Sequence, residues 1–314
     1  MFDTIISALL PIYVGIALGF FAGKRGIVDN QNVKSINMML MTFMVPLTMF
    51  IAIARTPRDL ILPNLPLILV IGSSMLVMFF GTLFIQRKFF GFGLTDGVVQ
   101  ALIVAFPNFA SLGIPLLLPL YGDQAALLAA TGIVSGSIFV TPIALSLLRM
   151  GSAIDSGAQV SVGKEFLKAL SGAVRTPVFF FPILGLIWSV LGLQMPSFVP
   201  TLFGPITLAT GGVGLFITGL LLSAQKIQLN VNVTLSAILA NVVQPLVGLG
   251  IGLLLGIEYT TAARAAILMA IPSAFFGLVF GALVNSRPAV AGATLLLSSI
   301  GGILTLAVFL GWLV

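Results

Sequence analysis

The sequence predicts an all-α integral membrane protein in which ten helices cross the bilayer. Hydrophobic residues make up 59% of the chain and charged residues 7%, whereas soluble domains carry about 25% charged residues. Ten apolar stretches are long enough to span a membrane, which takes about 20 residues each. Two of these stretches contain a matching break, at Pro107 and at Pro272. Together these observations predict two five-helix halves with one broken helix in each.

The predicted spans are separated by polar segments or by breaks rich in glycine and proline. The one long polar segment, 151–168, is rich in Ser, Gly and Lys. It divides the chain into a first five-helix half, 1–150, and a second five-helix half, 169–314. We place the ten spans at 4–23, 33–54, 65–86, 97–121, 124–148, 176–192, 203–223, 231–255, 261–284 and 289–313.

Basic residues fall mostly on one side of the predicted spans. Of the 14 Lys and Arg, 11 lie on the side of the 151–168 segment, and the other three are Arg55, Arg58 and Arg264. Because cytoplasmic loops are enriched in Lys and Arg, this split predicts a cytoplasmic linker and both termini on the non-cytoplasmic side. The net charge of +6 thus reflects topology, and no basic groove interleaved with aromatic residues indicates a nucleic-acid partner.

The residue types that most often carry enzyme chemistry are scarce. The chain has no cysteine and no histidine, which removes thiolate chemistry and the commonest metal ligand and general base. All eight acidic residues fall at span ends or in loops, whereas proton pumps and cation antiporters place carboxylates inside the membrane. We therefore expect no cofactor, no metal and no catalytic residues, and an intramembrane enzyme is the weakest hypothesis.

A shift of 165 residues lays the five spans of the first half on the five spans of the second. Pro107 then falls on Pro272, and Gly136 falls on Gly301. Because each half has an odd number of spans, the second copy would be inverted in the membrane, as in many secondary transporters. Chance agreement among similar apolar segments is the alternative, and the coincidence of the two breaks favours the repeat.

Each break places a proline directly before a small polar residue, Asn108 in one and Ser273 in the other. Proline ends the helix before it, and Asn and Ser are favoured N-caps for the helix that follows. We predict new helices that begin at about Phe109 and Ala274, with N-terminal N–H groups that face each other and are available to an anion. Two unrelated proline kinks are the alternative.

Other polar side chains are predicted at mid-membrane depth. Asn241 and Gln244 are three residues apart and share a helix face; they could bind an ion or the substrate, or they could join helices. Arg264 lies about one turn into the ninth span, where it would serve as an interface anchor or steer an anion. The remaining candidates for substrate binding, for which helix packing is the alternative, are Thr48, Ser111 and Ser135.

Three motifs resemble those of the auxin efflux carrier family. The fourth span reads FPNFASLGIPLLLPLYG (106–122), in which Pro-Asn, Gly-Ile-Pro-Leu-Leu and Tyr-Gly have the spacing of that family's fourth span. VPLTMF (45–50) resembles the family's second-span motif, and AIPSAFFGLVFGALV (270–284) resembles its ninth. The resemblance covers essentially the whole chain. Since the long central hydrophilic loop of many plant members is missing, the chain is most similar to bacterial members, above all to those described as malonate transporters.

The resemblance implies a ten-span fold shared with sodium/bile-acid symporters and sodium/proton antiporters. Spans 1, 2, 6 and 7 would form a scaffold that dimerises. Spans 3–5 and 8–10 would form a domain that moves like an elevator and carries an organic mono- or dicarboxylate. The family's crossover residues fall on Pro107, Asn108 and Pro272, and its second-span polar residue falls near Thr48. A fifth-span polar position, which is glutamine in plant members, falls near Ser135.

Two transport functions follow from these features. The first is a secondary carrier of a small organic anion in the bacterial inner membrane, with malonate as the leading substrate. The second is a sodium-coupled symporter of the bile-acid type, in which Asn108, Asn241 and Gln244 would help to coordinate sodium. In both cases the expected partners are the substrate, the lipid bilayer and a second copy of the chain.

Overall fold

The computed structural model describes residues 2–28, 33–61, 63–156, 175–223, 229–286 and 288–313. Over these ranges the chain is helical and contains no β-strand. The described α-helices, numbered in chain order, are α1 Phe2–Lys24, α2 Val33–Met39, α3 Val45–Ala54, α4 Arg58–Ile61, α5 Leu65–Phe89, α6 Leu94–Ala105, α7 Ile114–Tyr121, α8 Ala125–Ser135, α9 Thr141–Asp155, α10 Pro177–Val190, α11 Phe198–Ser223, α12 Val231–Ile238, α13 Gln244–Leu254, α14 Tyr259–Met269, α15 Phe276–Leu283 and α16 Ala289–Leu313.

The helices occupy the predicted apolar stretches, but they differ in length. Among the described residues, five continuous helices are long and apolar enough to cross a membrane, and a sixth results if a pair bent by 47° near Leu304 is counted as one span. The other apolar helices are shorter, such as α6 and the segment Phe180–Val190. Most of the predicted 151–168 linker lies outside the described residues. The five long helices are Ser35–Ala54, Leu65–Phe89, Leu127–Asp155, Phe198–Ser223 and Val231–Leu254.

In the part of the chain that the structure describes, four turns of π-helix adjoin the α-helices, and each ends two residues before a proline. Proline lacks an N–H group, and its ring clashes with the preceding turn. A π turn, with i→i+5 hydrogen bonds, widens the helix locally and lets the freed carbonyl groups find other partners. The proline positions in the sequence therefore account for where these helices deform. The turns are Leu40–Met44 before Pro46, Phe109–Gly113 before Pro115, Gly136–Val140 before Pro142 and Leu239–Val243 before Pro245.

The outer surface is apolar, and many polar side chains are inside. Large apolar side chains such as Phe43, Leu208 and Val308 are exposed. Gln86 is buried and exchanges two hydrogen bonds of 2.7 Å with Asn232, so that the two amides satisfy each other. This distribution suits a chain surrounded by lipid, where polar groups must find partners within the protein.

Helices α5 and α6 lie at the centre of the packing. α5 contacts α6, α8, α13 and α14, and α6 also contacts α9, α15 and α16. Helix α1 pairs with α11, and α3 pairs with α10. The α1–α11 pair is very close, because a Cβ atom on Gly19 would overlap with the carbonyl oxygen of Phe216, and one on Gly219 would overlap with that of Ile16. Small residues allow such backbone approach between membrane helices.

Candidate functional site at the crossing of two interrupted helices

The first interruption follows α6. This helix ends at Ala105, and Phe106 adopts an extended conformation with φ −112° and ψ 99°. An extended residue is what proline imposes on the residue before it, so Pro107 determines the geometry of Phe106. The chain returns to helical form at Phe109, in a π turn that leads into α7.

The second interruption lies between the end of α14 at Met269 and the start of α15 at Phe276. It is longer than the sequence predicts, because the new helix begins two residues after Ala274. Phe275 occupies the N-cap position of α15, with no side-chain hydrogen bond to the helix. The prediction that Ser273 caps this helix is therefore wrong. The non-helical segment extends past Ser273 because its backbone pairs with the first interruption.

The two interruptions cross each other and form a short antiparallel bridge between Pro107 and Ser273. The N–H group of Asn108 donates to the carbonyl oxygen of Pro272 at 2.9 Å, and that of Ala274 donates to Phe106 at 2.8 Å. This pairing satisfies backbone groups that lipid could not. It also brings together the helical segments that begin at Phe109 and at Phe276, close to the paired backbone.

The backbone pairing changes which hydrogen-bond donors remain at the crossing. Besides Asn108 and Ala274, the N–H group of Phe109 donates to Pro107 at 2.9 Å, and that of Ser273 donates to the hydroxyl oxygen of Ser298 at 3.1 Å. The sequence-based expectation that these first N–H groups are available to an anion is therefore wrong. The donors left at a helix start are those of its first turn, which have no partner within the helix.

Asn108 and Ser273 are both buried at the crossing, with 1% and 3% of their surface exposed. The hydroxyl oxygen of Ser273 has no hydrogen-bond partner among the described residues. Buried polar atoms are nearly always paired, so an unpaired one calls for a specific explanation. A bound molecule or a water is the usual one.

Asn241 belongs to a closed hydrogen-bond network behind the second interruption. Its Nδ2 group donates to the carbonyl oxygen of Ser298 at 2.8 Å, and its Oδ1 atom accepts from the Ser298 hydroxyl at 2.7 Å. That hydroxyl oxygen accepts from the N–H group of Ser273. The network therefore fixes the second interruption against α16. Ser298 was not among the sequence-based candidates, because a serine inside an apolar span gives no distinctive signal.

Gln244 lies beside the first interruption. Its Nε2 group points at the carbonyl oxygen of Ala105, the last residue of α6, at 3.5 Å, which is a long hydrogen bond. Its Oε1 atom is buried and has no partner among the described residues. Asn241 and Gln244 are thus near one another in sequence, yet Asn241 is linked through Ser298 to the second interruption, whereas Gln244 contacts the end of α6 beside the first.

The other candidates make contacts between helices. The Thr48 hydroxyl donates to the carbonyl oxygen of Met44 and lies 2.8 Å from the Thr210 hydroxyl. Thr210 was not among the sequence-based candidates. The hydroxyl of Ser135 lies within hydrogen-bond distance of two backbone carbonyl oxygens, those of Thr131 and Ile68. The side chain of Ser111 lies outside the described residues. The bonds to Met44 and Thr131 lie within the same helical stretch, and those to Thr210 and Ile68 join two helices.

Aromatic rings enclose the crossing. The Phe106 ring packs edge-on against Phe276, with ring centres 5.2 Å apart, and Phe275 lies 5.1 Å from Phe276. The rings of Phe106 and Phe275 fill notches at Gly136 and Gly214, where an added Cβ atom would overlap with them. These rings give the polar atoms of the crossing an apolar boundary, in which each electrostatic interaction is stronger than in water.

The described acidic residues on α6, on α9 and before α14 lie at helix ends rather than at the breaks. Asp96 lies in the first turn of α6, Asp155 is the last residue of α9, and Glu258 precedes α14. The Arg264 guanidinium lies 5.9 Å from the centre of the ring of Tyr121, the last residue of α7. Among the described residues no cluster of three metal-ligating side chains occurs. The polar groups at the crossing are therefore side-chain amides, hydroxyls and backbone N–H and C=O groups.

Known proteins share this sequence over most of its length. The chain is 29% identical over 308 residues to the "Uncharacterized transporter YfdV" of Escherichia coli K12, which covers 97% of this chain and 96% of that protein, and the Shigella flexneri protein of the same name matches equally well. It is 24% identical over 270 residues to "Auxin efflux carrier component 8" of Arabidopsis thaliana, with 71% and 72% covered. These relatives are transporters, which points away from an enzymatic role.

The family assignment rests on nearly the whole chain. The sequence model of the family described as "Membrane transport protein" matches residues 4–310. Together with several apolar helices long enough to cross a membrane, this match makes the molecule a multi-pass membrane protein. The resemblance seen in the motifs of the second, fourth and ninth spans is thereby confirmed, and the chain belongs to the membrane transport protein family that includes the auxin efflux carriers.

Proposed function

We propose that the protein is a secondary carrier of a small organic anion, a mono- or dicarboxylate, with malonate as the first substrate to test. The observation that carries the proposal is the crossing of two interrupted helices at Pro107 and Ser273. Interrupted helices at corresponding positions of two halves are typical of the substrate sites of secondary transporters. Membership of a membrane transport family supports the same conclusion.

An anion suits the chemistry of this crossing. Helix N-termini carry partial positive charge, and two of them begin at Phe109 and Phe276. The Asn108 amide adds a side-chain donor. The acidic residues of α6, α9 and α14 lie at the ends of those helices, so none of these carboxylates opposes an anion at the crossing. We assign Asn108 and Ser273 as the principal contacts, with Pro107 and Pro272 holding the breaks open and Thr48, Ser111 and Ser135 in supporting positions.

We further propose an arrangement of ten spans in two inverted five-span halves. Spans 1, 2, 6 and 7 would form a dimerising scaffold, and spans 3–5 and 8–10 would move across it like an elevator. The close pairing of α1 with α11 and of α3 with α10 supports a rigid scaffold. The central packing of α5 and α6 supports a second unit that contains the crossing. The positive-inside pattern supports a bacterial inner-membrane location with both termini outside.

Purified protein in proteoliposomes tests the function directly. Uptake of labelled malonate, with unlabelled mono- and dicarboxylates as competitors, should exceed that of empty liposomes, and Asn108→Ala should reduce it. A carboxylate at 100 times its dissociation constant should also raise the unfolding free energy by about 2.7 kcal/mol, which a thermal-shift screen detects. Binding of no small carboxylate in the screen would refute the proposal.

The same experiment separates the sodium-coupled alternative. Uptake is measured with a sodium gradient and with an equal potassium gradient at the same pH. An organic-anion carrier without sodium coupling takes up substrate equally in both. A requirement for sodium, with loss of that requirement in Asn241→Ala or Gln244→Ala, would favour a symporter of the bile-acid type.

A further inference from the structure

Two buried oxygen atoms at the crossing lack a hydrogen-bond partner among the described residues. They are the hydroxyl oxygen of Ser273, on the second interruption, and Oε1 of Gln244, beside the first. Both residues are almost completely buried, with 3% and 1% of their surface exposed. A buried acceptor without a donor is unfavourable and is seldom left in a folded protein unless something binds to it.

The orientation of the Gln244 amide is fixed by its neighbour. Its Nε2 group points at the carbonyl oxygen of Ala105, which has lost its helical partner because α6 ends there. Turning the amide over would place two carbonyl oxygens against each other. Gln244 therefore presents Oε1 as an acceptor, while one of the two N–H bonds of its Nε2 group is directed at Ala105.

These two oxygen atoms are poorly suited to bind a bare cation. Hard cations bind through a shell of several oxygen atoms, usually with carboxylates among them. Four carbonyl oxygens at the crossing already accept from backbone N–H groups, those of Phe106, Pro107, Asn108 and Pro272. An amide acceptor and a hydroxyl, in a site without a carboxylate, match an O–H group, which both donates and accepts, better than a metal ion.

We propose that an O–H group of the transported anion donates to Oε1 of Gln244 while its oxygen accepts from the hydroxyl of Ser273, so that the carrier prefers carboxylates that also bear a hydroxyl or a protonated second carboxyl. This inference rests on the proposed function and specifies its substrate class. In such a site a 2-hydroxy acid binds better than the acid without the hydroxyl. The singly protonated form of malonate binds better than the dianion. A proton would then cross the membrane on the substrate.

Binding measurements on purified protein test the preference with the pair lactate and propionate, which differ by one hydroxyl. The wild-type protein should bind lactate more tightly, by about two- to ten-fold, the factor expected for one net hydrogen bond. Malonate, measured on either side of its second ionisation, distinguishes a carboxyl proton from a hydroxyl, because its affinity should rise as the dianion is protonated.

Two leucine variants separate recognition from packing. Gln244→Leu should weaken lactate binding by about two- to ten-fold while propionate binding stays the same. Gln100→Leu is the matched control: Gln100 is also buried, donates to Thr294 at 2.9 Å and has an unpartnered Oε1 atom, but it lies five residues before the end of α6. This control should lower the affinities for lactate and propionate equally or not at all.

The outcomes distinguish the inference from the proposed function. If the wild-type protein binds lactate and propionate equally, and malonate equally on both sides of its ionisation, the O–H site is refuted while the carrier function stands. If it binds none of these acids, both fail. Stabilisation by sodium chloride alone, abolished in Gln244→Leu, would show that the two oxygens hold a cation. The wild-type comparison decides the question even if Gln244→Leu fails to fold.

Discussion

Ser273 and Asn108 meet at the crossing but differ in what their removal should do. Ser273→Ala deletes a buried oxygen that has no partner among the described residues, so the ligand-free protein should be as stable as the wild type or slightly more stable.

Asn108→Ala should lower carboxylate affinity about ten-fold or more, since a hydrogen bond to a charged group contributes about 1.5–3 kcal/mol. Thermal unfolding with and without carboxylate measures both effects. Parent-like binding in both variants would place the substrate elsewhere.

Asn241 and Ser298 should contribute to stability as one unit. Ser298→Ala removes the donor to Asn241 and the acceptor for the N–H group of Ser273, and buried groups left unpaired cost about 1–3 kcal/mol. Asn241→Leu removes the other partner. In a double-mutant cycle the two changes should cost less together than the sum of the single changes. Additive losses in thermal unfolding would mean that the two side chains act independently.

The sequence could identify some of these residues and not others. Asn108 and Ser273 stand out because each follows a proline inside an apolar span. Gln244 stands out because a buried amide in a membrane helix needs a partner. Ser298 and Thr210 do not stand out, because their roles depend on which helix lies opposite. Span spacing does not determine that contact, so only the three-dimensional packing reveals it.

At the scale of elements, hydropathy and proline positions predict the helices well and the non-helical segments less well. The extended conformation of Phe106 follows from Pro107 alone. The start of α15 at Phe276 does not follow from the Pro-Ser pair, because pairing with Phe106 and Asn108 keeps residues up to Ala274 out of the helix. Such long-range backbone pairing outweighs the local capping preference of serine.

The contact between the Phe275 ring and Gly214 on α11 leads to a testable prediction about helix packing. The Phe275 ring fills the notch at Gly214, so Gly214→Ala would force the ring or the helix to shift. We expect lower thermal stability and slower transport, because overpacking typically costs about 1–3 kcal/mol. Phe275→Leu in the same chain should restore part of the loss. Gly212→Ala is the control, since a Cβ atom there meets nothing within 4 Å. Equal effects of Gly212→Ala and Gly214→Ala would contradict a specific notch.

At the scale of the whole molecule, polarity is distributed for a lipid environment. Apolar side chains such as Leu208 and Val308 face outward, while Gln86 and Asn232 pair inside. The chain also carries its acidic residues near helix ends, such as Asp96 in the first turn of α6 and Asp155 at the end of α9. Any proton that accompanies transport would therefore travel on the substrate or through water, since these carboxylates are remote from the crossing.

The uneven distribution of Lys and Arg predicts the orientation of the whole molecule. Ser156, which is exposed at the end of α9, should lie in the cytoplasm, and Ser197, exposed before α11, should lie outside. The chain contains no cysteine, so Ser156→Cys and Ser197→Cys each introduce a single reactive thiol. In intact cells a membrane-impermeant maleimide should label only the Ser197 variant, and permeabilised cells should show both. A tag at the C-terminus should be accessible from outside. Labelling of the Ser156 variant in intact cells, with Ser197 protected, would reverse the proposed topology and move both termini into the cytoplasm.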